Sequence, residues 1–224
     1  MNTEEGRPLL PIAVMVSGAG RGSNLAALIE ACASGQIPGR VALVIGTRSD
    51  APALERARSA GSVVSVVSPR KYESDEAGYA AALLRVLQKQ DIGLICLAGY
   101  MRHLPAPIVA VYPGRVMNIH PALLPLFGGQ GMYGENVHRA VIESGMKVSG
   151  CTVHFVDNQY DGGPIITQRA VPVLDADTPQ SLAARVLEQE HRAYAEAAQW
   201  FAEGRLTIEG RRVRVSGNEP QNSA

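Results

Sequence analysis

Charge of one sign is what this chain lacks most plainly: Lys plus Arg and Asp plus Glu are 21 each, for a formal net charge of +0. That balance gives no electrostatic footprint for a nucleic-acid partner. Aromatics are also scarce, with three Phe and one Trp, too few for a platform on which bases stack. The three cysteines, Cys32, Cys96 and Cys151, lie far apart in apolar surroundings. They cannot all pair within one chain, and reduced thiols in a cytoplasmic protein are the expected state. No Cys-x-x-Cys or His-x-x-x-His pair exists, so no metal site is expected. No apolar run reaches membrane-spanning length, and residues 1–11 lack the apolar core of a signal peptide. A soluble, cytoplasmic protein without membrane partners follows as the expectation.

The 224 residues are instead organised as alternating apolar runs and amphipathic stretches. Strands are expected at 12–16, 41–45, 63–67, 92–98 and 115–119, with helices at 25–33, from Ala51 to about Ala60, at 77–88 and at 104–112. That rhythm implies an α/β fold with a mainly parallel sheet. A glycine-rich loop at 126–136 and a helix at 137–143 follow. Strands at 150–156 and 164–173, joined by a short turn, should add an antiparallel edge. A long helix begins near Pro179, with Asp177 or Thr178 as cap, and runs to Phe201. The organisation expected is an N-terminal extension over 1–10, one domain over 11–215 and a polar, disordered tail over 216–224.

Residues 116–125 read Val-Met-Asn-Ile-His-Pro-Ala-Leu-Leu-Pro. Strand alternation puts Asn118 and His120 on one face, near a carboxyl end where open α/β sheets bind ligands. A carboxamide beside an imidazole can stabilise an oxyanion and carry a proton. Taken alone, the pair reads equally well as two side chains tying up backbone in the following turn. Asp161, in Tyr160-Asp161-Gly162-Gly163-Pro164, reads alone as a turn residue. It gains meaning if the sheet brings it beside His120, where a carboxylate would orient and charge the imidazole. His154 shares a face with Thr152 and either lines the same cavity or is a satisfied structural histidine. His138 and His191 read as surface helix residues.

The loop after the first strand, Ser17-Gly18-Ala19-Gly20-Arg21-Gly22-Ser23-Asn24, offers close backbone approach and free helix-start amides, which favour an anion such as phosphate. The glycines do not have dinucleotide spacing, no P-loop Lys is present, and no acidic residue closes the second strand. A nicotinamide dinucleotide is therefore rejected and a monophosphate kept, with a ligand-free glycine turn as the plain alternative.

Together these segments resemble the folate-dependent formyltransferases, in the branch that acts on glycinamide ribonucleotide. The matching pieces are Ser17-Gly18 with Gly22-Ser23-Asn24-Leu25, Leu97 to Arg102, Asn118-Ile119-His120-Pro121-Ala122-Leu123-Leu124-Pro125, Val153-His154-Phe155-Val156 and Asp161-Gly162-Gly163-Pro164, within about residues 12–208. The resemblance implies a Rossmann-like three-layer formyltransferase fold. It also implies transfer of a formyl group from 10-formyltetrahydrofolate to the amine of glycinamide ribonucleotide, a step of purine biosynthesis needing no metal. Asn118, His120 and Asp161 would be catalytic, with protonated His120 and Asn118 donating to the oxyanion. Gly22, Ser23 and Asn24 would hold phosphate and ribose, and Glu190 the ribose end. Met101, Arg102, His103, Leu104, Asn118, Val156, Asp157 and Asp161 would contact the folate. A homodimer is left open.

Three departures from the family pattern stand out. Gly20-Arg21 lengthens the glycine loop. Ser74-Asp75-Glu76 stands where relatives carry a basic residue for the phosphate, leaving Arg70, Lys71 or Arg21 to compensate. The 126–136 loop is longer, with Gly128 where Pro is common. The nearest alternative is a hydrolase cleaving 10-formyltetrahydrofolate on the same scaffold, which would need an N-terminal regulatory domain. Formylation of initiator methionyl-tRNA would need a C-terminal barrel and a basic surface. A non-catalytic phosphate binder would leave Asn118, His120 and Asp161 unexplained.

Overall fold

Alternating apolar residues along the first strand already divide the interior in two. In β1 (Leu10–Val16), Ile12, Val14 and Val16 face one core and Ala13 and Met15 the other, all of them buried. A strand covered on both faces is the mark of a sheet sandwiched between helices. The computed structural model describes residues 8–18 and 20–217. Its strands continue as β2 (Gly39–Gly46), β3 (Val63–Val66), β4 (Leu94–Leu97), β5 (Val116–His120), β6 (Val148–Phe155) and β7 (Ile165–Pro172), and end with β8 (Leu206–Glu209) and β9 (Arg212–Val215). They form one sheet in the order β3-β2-β1-β4-β5-β6-β7-β9-β8. β3 to β5 run parallel, whereas β6 is antiparallel to both β5 and β7. The α/β class and the antiparallel late strands are as expected.

The helices are α1 (Ser23–Ala33), α2 (Pro52–Ser59), α3 (Glu76–Lys89), α4 (Ala106–Val111), α5 (Glu135–Glu143) and α6 (Pro179–Ala202). Leu25 and Leu28 of α1, Leu54 of α2, Val141 of α5 and Leu182 and Val186 of α6 join one core. Leu83 and Leu87 of α3 and Ile108 of α4 join the other. α6 starts as its sequence suggests: Thr178 and Ser181 form a reciprocal capping box and Pro179 takes the first turn. Among the described residues no helix is long and apolar enough to cross a membrane.

Three expectations need correction. The sheet does not end at β7, because the β8–β9 hairpin pairs with it through β9. A 3-10 helix at Pro69–Tyr72 precedes α3, and the 126–136 loop is two residues shorter because α5 begins at Glu135. The end segments also shift: Leu10 already belongs to β1, and Ser216 is tied to Arg205 by its backbone N–H. Of these two segments, residues 1–7 and 218–224 lie outside the described residues.

Register positions the site. Met15 pairs with Leu97 and Leu97 with Asn118, so the carboxyl ends of β1, β4 and β5 stand level. The chain leaves β1 toward α1 and β2 on one side, while β4 lies on the other, which opens a crevice at this switch point. Ser17 then stitches the two strand ends together, its N–H donating to Gly99 O and its hydroxyl accepting from Met101 N.

Candidate active site

The pleat of β5 sends Asn118 and His120 toward the same carboxylate. Asn118 Nδ2 lies 3.4 Å from Asp161 Oδ1, and His120 Nδ1 lies 3.6 Å from Asp161 Oδ2. β6 pairs antiparallel with β5, with Asn118 opposite His154, so the turn after β6 returns Asp161 over the strand end. Gly163 makes that return possible: a Cβ there would come within 1.9 Å of Phe155 O. Gly163→Ala should therefore destabilise the protein by about 3 kcal/mol and displace Asp161, readable as a lower urea midpoint together with lost activity.

The proton-bearing atoms can be assigned from their partners. His120 Nε2 is 2.8 Å from Phe127 O, and because a carbonyl only accepts, Nε2 carries the hydrogen. In the neutral ring Nδ1 then presents a lone pair toward Asp161. His154 Nδ1 likewise donates to Phe155 O at 2.8 Å, leaving Nε2 to accept from Asn118 Nδ2 at 3.1 Å. Gly129 N–H donates to Asp161 Oδ2 at 2.8 Å. At rest, both amide hydrogens of Asn118 are directed to His154 and Asp161. Asp161 and Phe127, the residues that hold His120, both have positive φ, 50° and 54°. For Phe127 that conformation is a real outlier, of the strained kind that gathers at functional sites.

Burial sets the charges. His120 is 3% exposed, and burial pushes its pKa below the usual imidazole value, although the Asp161 carboxylate and the Phe127 carbonyl pull the other way. Burial thus favours the neutral ring at rest, whereas the resemblance implies a protonated His120 during transfer. For Asp161, burial acts to raise the pKa, but His154, His120 and the Gly129 N–H together outweigh it and hold the carboxyl below its ordinary range.

These groups border a cavity of about 720 Å³, which also takes in Asn24, Glu190, Val156, Asp157 and the whole of Met101–Leu104. Glu190 is 8% exposed, and its Oε2 accepts from Asn24 Nδ2 at 2.7 Å. Burial raises its pKa while Asn24 opposes the shift. One turn later on α6, Tyr194 is fully buried, its hydroxyl 3.0 Å from Leu97 O and 3.1 Å from Met117 O. That pins α6 beneath the strand ends and so places Glu190. Gly22 caps α1 in a left-handed conformation, φ 70°, and its missing Cβ would meet Ala53 Cβ at 2.7 Å. No side chain caps the helix, so the first-turn amides remain available to an anion.

Some expected residues fall elsewhere. Arg70 and Lys71 sit exposed on the 3-10 helix and do not border the cavity. Arg48, which spacing did not single out, lies against the glycine loop, its Cδ 2.5 Å from where a Gly18 Cβ would be and its guanidinium paired with Asp50. Arg102 is exposed, Leu104 is buried, and His103 stacks 4.7 Å from the Tyr160 ring across the cavity mouth. His138 is not a surface residue: it is 4% exposed and borders the cavity. His191 is half-buried and lies outside this cavity.

The Formyl transferase family model matches residues 10–198. The chain belongs to the formyl transferase family. The chain is 39% identical over 215 residues to phosphoribosylglycinamide formyltransferase of Escherichia coli (strain K12), covering 95% of this chain and 98% of that one. It is 44% identical over 195 residues to the chloroplastic phosphoribosylglycinamide formyltransferase of Arabidopsis thaliana, covering 87% of this chain and 66% of the relative. The chain thus spans about two thirds of the length of the chloroplast relatives it matches. Among solved structures, glycinamide ribonucleotide transformylase 1 from Symbiobacterium toebii superposes with a TM-score of 0.88 at 48% identity, covering 96% of this chain and 98% of that one.

His138 is a buried, acid-sensitive imidazole of this chain. Burial, reinforced by the nearby His120, lowers the His138 pKa from 6.5 to about 4, against a smaller opposing effect of Glu135. Between those values the unfolded chain binds a proton that the folded ring refuses. Stability from this group is complete above pH 6.5 and is lost as pH falls toward 4, by on the order of 3 kcal/mol. Glu190, with its raised pKa, changes stability in the opposite sense, so the wild type must be compared with His138→Leu. Urea unfolding from pH 7 to 4 should show the wild type falling relative to that variant.

Proposed function

We propose that the protein transfers the formyl group of 10-formyltetrahydrofolate to the primary amine of glycinamide ribonucleotide, yielding formylglycinamide ribonucleotide and tetrahydrofolate in purine biosynthesis. The observation that carries this reading is Asp161 converging with Asn118, His120 and His154 at the mouth of β5. Similarity along nearly the whole Escherichia coli relative supports the choice of substrates.

The amine nitrogen attacks the formyl carbon, a C–N bond forms, and the carbonyl pair moves onto oxygen. Asn118 turns an amide hydrogen from the Asp161–His154 pair toward this oxyanion, and a donor of that kind contributes about 10²–10³-fold in rate. The new ammonium loses a proton to His120 Nδ1, whose lone pair is free at rest. The imidazolium so formed gains the Asp161 carboxylate as counter-charge. That proton then passes to the folate nitrogen, the carbonyl re-forms, the bond from carbon to that nitrogen breaks, and tetrahydrofolate leaves. One proton leaves the amine and one reaches the folate, so no metal and no covalent enzyme intermediate is required.

Met101–Leu104 and the 156–161 segment hold the folate. Gly22, Ser23 and Asn24 hold the phosphate and ribose, with Glu190 accepting from ribose hydroxyls. The test is a purified-protein assay with both substrates, with formylated amine identified by mass spectrometry. The expected result is one equivalent of tetrahydrofolate per formylated product.

A further inference from the structure

Among the described residues five buried side-chain polar atoms have no hydrogen-bond partner, and two of them, Asn24 Oδ1 and His138 Nδ1, belong to residues bordering the active-site cavity. Buried polar atoms are satisfied in the great majority of cases, so an orphan beside a cavity calls for an explanation. His138 lies on α5, on the face that carries the buried Val137 and Val141. α5 packs against α6, whose Ala183, Leu187 and Glu190 border the same cavity. Nothing in the transfer chemistry uses this ring.

Two other groups bordering the cavity stand outside the transfer chemistry. Asn24 Oδ1 and the Glu190 carboxylate are acceptors, suited to ligand hydroxyls and N–H groups. An imidazole adds one donor and one acceptor, which matches a hydroxyl or an amide better than a charged phosphate. We propose that His138 is a substrate-binding residue for the ribosyl-amide portion of the amine co-substrate, acting in the same cavity that Asn24 and Glu190 border. The proposal rests on the transfer reaction above and deepens its acceptor half.

The decisive variant is His138→Leu, which keeps the volume and removes the orphan atom. Replacing an unsatisfied buried polar group by an apolar one of similar shape is neutral or stabilising. The variant should therefore melt at or above the wild-type temperature near neutral pH, while its KM for glycinamide ribonucleotide rises about tenfold and its KM for the formylfolate is unchanged. His138→Asn, with an amide near the position of Nδ1, should recover part of that loss. A structural histidine gives the opposite pattern, a lower melting temperature with an unchanged amine KM, and that result overturns the proposal. Titration calorimetry with glycinamide ribonucleotide reads the same contact without turnover. No heat with the wild type overturns both this proposal and the reaction it rests on. Wild-type binding that His138→Leu leaves unchanged overturns the proposal alone.

Discussion

Asp161→Asn will leave a folded protein whose kcat is lower by about 10²–10⁴-fold, the range for a lost participant in proton transfer. The substitution preserves size but not charge or acceptor count. Gly129 N–H needs an acceptor, so the new Oδ1 must occupy the place of Oδ2. The new amide hydrogens then face Asn118 Nδ2, itself a donor, and the pair can be satisfied only if Asn118 turns over. His120 loses the negative charge 3.6 Å from Nδ1, so the imidazolium formed during transfer has no counter-ion. In the proposed function Asn24 and Glu190 hold the amine substrate and are untouched by this change, so the KM for glycinamide ribonucleotide should change little. Steady-state kinetics with a thermal melt separates this outcome from misfolding: the melting temperature stays close to wild type while kcat collapses. A variant within tenfold of wild-type kcat would remove Asp161 from the chemistry.

His120→Ala should have an effect of similar size, about 10²–10⁴-fold in kcat/KM, with a distinctive pH signature. In the wild type, protonation of His120 fills the lone pair that receives the amine proton. Activity should therefore fall on the acid side, through a midpoint below 6.5, because burial lowers this pKa despite Asp161 and the Phe127 carbonyl. His154 faces the same carboxylate and lowers the His120 pKa further, and His138 stands nearby. The residual activity of His120→Ala should lack that acid limb. A wild-type limb centred above 6.5, or one that persists in the variant, would show that a different group receives the proton.

What could be read in advance followed the range of each interaction. The pairing of Asn118 with His120 follows from strand alternation, which is local, and the structure places both toward Asp161. Asp161 reads from sequence only as a conditional partner of His120, because its place depends on β6 pairing with β5 across a separation of more than thirty residues. The burial of His138 is legible in the sequence: its neighbours Val137 and Val141 mark the buried face of α5, and that helical position outweighs the polarity of the ring. The β8–β9 hairpin also left a trace. Alternation in Leu206-Thr207-Ile208-Glu209 and Arg212-Val213-Arg214-Val215 flanks Gly210-Arg211, with Gly210 at φ 61°. Its charged outer positions hide a strand signal carried by only four residues on each side. The downward shift of the His120 pKa is not legible in the sequence, because it arises from burial that only the assembled sheet and the 126–134 loop create.

A formyl transferase of this kind must deliver the formyl carbon to an amine and keep water from it. Purified protein is supplied with 10-formyltetrahydrofolate, with and without glycinamide ribonucleotide, and formate and formylated amine are both quantified. Formylated product and tetrahydrofolate should appear in equal amounts when the amine is present, with negligible formate when it is absent. Formate released at the same rate with and without the amine would contradict formyl transfer and make the protein a hydrolase on this scaffold.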